Sequence, residues 1–377
     1  MKSFFFGLFR SIPIFLLILF LAGFSRLMAQ DENPWTEKPE LELFGFVDVF
    51  YAWDFNQPTT PYRQVFFFHH NRHNEFNLNL GMIKMSVSQT KYRANFALQA
   101  GTYPNDDYVN ENATLKNVYE ANAGISLNKK NNLWIDAGIF ISHLGFESIM
   151  SIDNWTLTRS LVIENLPYYL AGAKLTYNPS EVVEIGGLIV NGWQRIQRVQ
   201  GNSLPSIGTQ LLITPNEKYT FNWSTFFGTD DPDSTRRLLY FNNLYAQMQF
   251  SSEFGIVTEF DFGLRQQYKG SVEWDDWYGF ALIARYDFAE KWGAALRGEF
   301  YHDRHGVIVV IEDSPNGFRT SGISLNIDFI PIPRVACRLE GRWLHSPDQI
   351  YDKDITRVMD NFFIVTSIAV KMDKKLL

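Results

Sequence analysis

Three imidazoles fall within five residues at His69, His70 and His73, a density that could hold Zn²⁺ or Cu²⁺. No well-placed fourth ligand accompanies them, so they read better as solvated loop histidines. Asp230, Asp231 and Asp233 could hold Ca²⁺ in a surface loop, but they lack the spacing of a calcium loop. A hydrolase would need an activated nucleophile beside His and an acid. His302 and His305 follow Glu299 and adjoin Asp303, yet nothing marks a nucleophile next to them. The residues therefore predict no catalytic set, no metal site and no cofactor.

The chemistry that remains is charge, placed at every second position of short segments. Arg338, Glu340 and Arg342 alternate with Val335, Cys337, Leu339, Gly341 and Trp343, and Glu259, Asp261 and Arg265 alternate with Phe260, Phe262 and Leu264. Successive side chains of a strand point to opposite faces, so a period of two means two environments. Asp48, Lys84, Arg93, Glu120, Asp136, Lys174, Arg285, Arg297 and Glu299 occupy equivalent positions elsewhere. A soluble β-sandwich alternates as well, with its polar face outward.

The N-terminus separates the two architectures. Lys2 and Arg10 precede an apolar run from Ser11 to Phe24, and the segment closes on Leu27-Met28-Ala29, the pattern of a secretory signal peptide cut before Gln30. Beyond Gln30 no apolar stretch is long enough for a membrane helix, so a membrane form of the chain has to be a closed barrel, whose backbone polar groups are satisfied internally. Removing the signal takes away three basic and no acidic residues, leaving 31 Lys and Arg against 41 Asp and Glu, a net charge of −10 that argues against nucleic acid as a partner. The single cysteine, Cys337, rules out an internal disulfide, so stability has to come from elsewhere. Aromatic residues make up 16% of the chain and gather near strand ends, as at Tyr51, Trp53, Tyr219, Trp223, Trp277, Tyr278, Tyr286, Phe288, Trp292 and Trp343. Interfacial girdles produce that placement.

Strands are expected at 41–54, 75–89, 92–102, 117–128, 132–140, 169–178, 182–191, 206–214, 218–228, 238–251, 254–267, 275–288, 291–302, 320–330, 334–344 and 361–372. Alternation is poorest from Ser206 to Gly228; without that pair the count would be fourteen. A phase change in the second strand predicts a β-bulge at Gly81. Connections after even strands are brief and those after odd strands mostly longer, the sorting of periplasmic turns and extracellular loops in an outer-membrane barrel. The division that follows is a signal peptide at 1–29, a periplasmic tail at 30–40 and an all-β, up-and-down antiparallel barrel at 41–377. About sixteen strands leave an aqueous channel, in which charges need no partners. The connection from Ile141 to Tyr168 is too long and too apolar for a plain hairpin loop. Either it folds inward and narrows the pore, with Glu147, Asp153, Arg159 and Glu164 facing basic wall residues such as Arg93 or Arg297, or it packs on neighbouring loops outside.

Several stretches resemble a known family. GFVDVFYAWDFNQP (Gly45 to Pro58), HNRHNEFNLNLGMIKM (His70 to Met85), LKNVYEANAG (Leu115 to Gly124), LWIDAGIFISHLGFES (Leu133 to Ser148), NWTLTRSL (Asn154 to Leu161) and NGWQRIQR (Asn191 to Arg198) are similar to the OmpL-like porin-2 family of outer-membrane β-barrels found in Bacteroidetes. The resemblance is dense from Leu41 to about Arg198 and looser beyond. It implies an outer-membrane porin and supplies neither catalytic residues nor a solute. The C-terminus, Lys374-Lys375-Leu376-Leu377, departs from the terminal aromatic residue of proteobacterial barrels.

The expected function is passive diffusion of small hydrophilic solutes and ions across the outer membrane of a Gram-negative bacterium, by size exclusion with electrostatic bias. The expected partners are membrane lipid, lipopolysaccharide, the outer-membrane assembly machinery and, as an open option, further copies of the chain. The alternatives are a closed barrel acting as receptor or adhesin through its loops, and a barrel hydrolase.

Overall fold

The computed structural model describes residues 34–376. The expected signal peptide lies outside the described residues. The described part of the N-terminal segment holds a 3-10 turn, Pro34–Thr36. From Pro39 onward the chain forms one unit.

That unit is a closed barrel of sixteen antiparallel strands. They are β1 Glu40–Asp54, β2 Phe76–Ser88, β3 Tyr92–Ala100, β4 Val118–Ser126, β5 Leu133–Ile141, β6 Tyr169–Tyr177, β7 Val183–Val190, β8 Ser206–Asn216, β9 Tyr219–Gly228, β10 Leu239–Gln249, β11 Phe254–Gln266, β12 Trp274–Ala289, β13 Trp292–Asp303, β14 Phe318–Ile332, β15 Val335–His345 and β16 Asp360–Lys375. Each strand pairs with its neighbours in sequence, and β16 closes the ring on β1, with Val47 opposite Val370. No strand edge is left over, which meets the demand that hydrocarbon places on backbone polar groups. All sixteen expected segments are strands. β8 and β9 alternate poorly because their inward positions are small or amide side chains, Ser206, Gly208, Gln210, Asn222 and Ser224.

The connections sort by length into two ends. The long loops are L1 (55–75), L2 (101–117), L3 (142–168), L4 (191–205), L5 (229–238), L6 (267–273), L7 (304–317) and L8 (346–359), the last holding a hairpin of Tyr351–Lys353 and Thr356–Val358. The opposite end carries only brief turns. Outward residues such as Leu296, Leu325 and Leu339 are about half exposed and continue around the barrel as an apolar belt. A belt of this extent needs lipid, not water, against it.

Two local expectations are corrected. The bulge lies at Asn79, two residues before Gly81: Asp48 pairs with Leu80 and Val49 with Leu78, leaving Asn79 extra. The bulge turns Asn79 inward, where its amide donates to Asp48 Oδ2 at 3.2 Å and its carbonyl accepts from the His70 N–H at 2.9 Å. Trp277 is not a girdle residue. It points inward, fully buried, and stacks on Phe241 at 5.8 Å.

Leu339→Arg, in the middle of β15, is expected to destabilise the barrel by about 2–4 kcal/mol when equilibrium unfolding from lipid vesicles is measured. A cost below about 0.5 kcal/mol, the scale of ordinary surface substitutions, would place that face in water.

Candidate functional site

L3 lies inside the barrel. Its 3-10 turn, Ser151–Asp153, touches β16, and its short helix α2, Leu161–Glu164, touches β12 and β13. Between them the chain from Asn154 to Ser160 runs along a ladder of charge on the inner wall. Arg297 donates to Glu340 at 2.7 Å, Arg342 to Glu299 at 2.7 Å, and Arg338 and Arg285 to opposite oxygens of Asp328 at 2.7 and 2.6 Å. The same groups hold the loop. The Thr158 N–H and hydroxyl donate to Glu340 at 2.6 and 2.9 Å, Arg297 donates to the Thr158 carbonyl at 2.7 Å, and the Leu161 N–H donates to Glu299 at 2.7 Å. Arg338 reaches the Asn154 carbonyl at 3.0 Å and Arg342 the Arg159 carbonyl at 2.9 Å. Asn326, between these charges, accepts from the Leu157 N–H at 3.1 Å.

These charges were expected to stand in water without partners, and they do not. Arg297, Glu340 and Arg342 are fully buried beneath L3, so each carries its counter-ion with it. The acids and the base of L3 are likewise not displayed in a pore. Arg159 is buried and donates to the Leu157 and Ile149 carbonyls at 2.9 and 2.7 Å. Glu147 accepts from the N–H and hydroxyl of Ser160 at 2.8 and 2.7 Å; burial pushes its carboxyl up, with Arg297 and Arg159 opposing. Asp153 alone keeps an exposed face, and it pairs with Lys371. Gly145 has φ +79°, a left-handed conformation that favours glycine, and it turns the loop against Ile163. Its N–H donates to Asn243 at 3.1 Å, and the Asn243 amide in turn serves both Glu259 and Asp261.

His69 and His70 are also corrected from solvated to buried, whereas His73 stays partly exposed. L1 folds inward, so that His70 faces Asp48 at 2.9 Å and His69 faces Glu164 of L3 at 3.3 Å. Burial lowers His69 to about 4, which keeps the ring neutral at pH 7. Burial by itself would raise the Glu164 carboxyl; the His69 ring and the backbone N–H groups of His69 and Phe68 outweigh it and hold the carboxyl below its ordinary range. Arg63, which the sequence reading missed, lies over the Phe363 ring at 3.6 Å and donates to the His70 carbonyl at 2.8 Å. Its signal was the apolar run Phe66 to Phe68, the same feature that marked L3.

Other expected residues have local duties. Asp230, Asp231 and Asp233 pair with Arg195, Arg237 and Arg236. Asp303 accepts from the N–H groups of Val307, Ile308 and Val309, and Arg265 donates to the Val307 carbonyl at 3.0 Å, so both shape L7. His302 packs against Tyr278 at 5.2 Å. Among the described residues no group of three or more His, Cys, Asp or Glu is placed to hold a metal.

The two ends of the lumen differ. Around the loop end the inner face is packed shut: Leu80, Gln99, Leu170, Phe226, Trp277 and Phe363, spread around the ring, are all 3% exposed or less, covered by L1 to L4 and L8. Towards the turn end the inner face of β2–β8 is open. Lys84, Arg93, Asn95, Asn122, Lys174 and Gln210 all retain exposure there. Lys84 pairs with Glu120 at 2.6 Å and Arg93 with Asp136 at 2.7 Å, and in both pairs the base is the more exposed member. Lys174 has no ion pair among the described residues and reaches over Phe140.

A family model described as "Putative beta-barrel porin-2, OmpL-like" matches residues 40–372. The chain belongs to this family. It is an outer-membrane porin, a passive diffusion channel of a Gram-negative bacterium. The barrel of this porin is similar to that of the outer membrane channel DcaP of Acinetobacter baumannii, at 8% identity and TM-score 0.61 over 89% of this chain and 97% of that one. It is similar also to an anion-selective porin from Comamonas acidovorans, at 11% identity and TM-score 0.59 over 89% and 100%. The trimer form of OmpT of Vibrio cholerae shares 8% identity and TM-score 0.55 over 89% and 100%. At such identities the likeness is one of fold. No curated protein matches the porin.

Removing one partner of the buried ladder should cost far more than removing both. Glu340→Ala strands Arg297 and is expected to lose about 3–5 kcal/mol in equilibrium unfolding, with Arg297→Met/Glu340→Leu losing less. A single variant within about 1 kcal/mol of the parent would mean that the ladder does not hold L3.

Proposed function

We propose that small hydrophilic solutes and ions cross this porin on the side of the lumen that L3 leaves free, along β2–β8. The observation that carries this reading is the division of the inner wall. L3 is pinned to the charged ladder on β12–β15, while Lys84, Arg93, Asn95, Asn122, Lys174 and Gln210 keep water-facing surface opposite. Charged and amide side chains there replace the hydration of a polar solute in passing, with no bond made or broken. The reading is therefore non-enzymatic. In this conformation the loop end is closed, so conduction requires L1, L2 and L4 to move from the mouth.

The sequence pattern supports export with a cleaved signal at 1–29, followed by a periplasmic tail at 30–40. Lipid and lipopolysaccharide would meet the apolar belt, the assembly machinery would insert the barrel, and a homo-oligomer is the arrangement we favour. The packed loop end favours one second reading, a closed barrel acting as a surface receptor or adhesin.

Single-channel recording of the refolded mature chain in planar bilayers separates the two. Discrete steps are expected, and Lys174→Glu should move the reversal potential in a KCl gradient towards cation preference. A folded barrel that passes no current at any voltage or pH would favour the receptor.

A further inference from the structure

The closure at the loop end contains one carboxylate that the channel reading leaves without a duty. L2 carries a short helix α1, Thr102–Asp107, and its last residue, Asp107, is buried where L2, L3 and L4 meet. Tyr103 and Tyr108 flank it from L2, Tyr168 from L3 and Tyr169 from β6, with the Tyr108 and Tyr169 rings stacked at 3.9 Å and Tyr103 stacked on His69 of L1 at 4.1 Å. From L4 the Gln194 amide donates to Asp107 Oδ1 at 3.0 Å and to its carbonyl at 3.2 Å. Asp107 Oδ2, His69 Nε2 and the Tyr168 hydroxyl have no hydrogen-bond partner among the described residues.

The other charged groups near this junction are engaged elsewhere. Asp106 is held by Arg72 at 2.7 Å, Glu164 accepts from the N–H groups of His69, at 2.7 Å, and of Phe68, and Arg195 is held by Asp230 at 2.9 Å. Arg159 donates to the Leu157 and Ile149 carbonyls, and Glu111 accepts from the Ile196 N–H at 2.8 Å and the Tyr169 hydroxyl at 3.4 Å. Among the described residues no cation is directed at Asp107. Ionised, it would be a dry charge among tyrosine rings, which is unfavourable unless water enters.

We propose that Asp107 is a proton-operated lock on the loop-end closure: protonated, it lets L2 and L4 pack on L3; ionised, it draws water into the junction and releases L2 and L4 from it. The proton leaves to the external solvent, and nothing else is exchanged. The proposal rests on the channel reading and names the regulation of that same lumen.

Burial, with the charges of Glu164 and Asp106 adding to it and the Gln194 amide and Tyr103 hydroxyl opposing, pushes the Asp107 carboxyl up to about 7. In the wetted, open form it would titrate near the ordinary value of about 3.9. The closed form therefore binds the proton more tightly. The ratio of open to closed channels rises by up to about tenfold per pH unit between about 4 and 7, and is level above.

The test is open probability in planar bilayers from pH 5 to 9, for the parent, Asp107→Asn and Gln194→Ala. The parent should open as pH rises to about 7 and then level off, Asp107→Asn should stay mostly closed throughout, and Gln194→Ala, having lost a donor that favours the ionised form, should go on opening past pH 7 and level off at a higher pH. Identical curves for all three would overturn the lock and leave the channel standing. Absence of current in all three would overturn the channel reading, and a second readout then decides the lock. In a Cys337→Ala background, Thr102→Cys is labelled with a maleimide at pH 7.5 with and without Asp107→Asn. Slower labelling with Asn supports the lock, and equal rates overturn it.

Discussion

Charge inside a membrane barrel has to be wetted or paired, and this molecule does each on a different side. On β12–β15 the guanidinium groups of Arg297, Arg338 and Arg342 are dry, and each is tolerable only because a carboxylate one or two strands away and a carbonyl of L3 share it. The ladder is therefore what fixes L3, and L3 in turn keeps the ladder dry. Neither half stands without the other. The clasp of Glu164 on the backbone of His69 then ties L1 to L3.

The architecture was legible because it is written with period two. Alternation along β11 and β15, the missing membrane helix and the sorted connection lengths are properties of neighbours in sequence, and they lead directly to sixteen strands in a ring. The inward direction of Arg297, Glu340 and Arg342 was legible for the same reason. What those residues meet was not. Thr158 and Glu340 are joined across the lumen, as are Leu161 and Glu299, and no local pattern encodes a contact of that kind. Treating the lumen as water made the charges look free, and the same assumption left His69 and His70 as solvated loop residues. The bulge was misplaced by two residues because glycine is the usual mark of such a break, whereas here Asn79 holds the extra position by hydrogen bonds to Asp48 of β1 and to the backbone of His70 in the folded L1.

The two ends of the lumen carry different physics. The turn end is a water-facing surface of lysine, arginine and amide groups, and the loop end is a protein interior of interlocked rings. An interior made of tyrosine and histidine is a compromise. Its rings are buried against one another, yet several of its polar atoms forgo a partner, and each such omission weakens the closed arrangement by about 1–3 kcal/mol. A closure assembled this way is stable enough to form and inexpensive to wet.

The split of the wall also sets where the molecule is free to change. Residues on β12–β15 are committed twice, to their strand neighbours and to L3, so exchanging one of them disturbs the architecture before it alters transport. Lys174 and Gln210 answer to neither duty in the same degree. Variation among descendants of this chain can thus accumulate on β2–β8, retuning what is admitted while the opposite half preserves the fold, and the barrel offers natural selection a surface to rewrite beside a frame it has to leave alone.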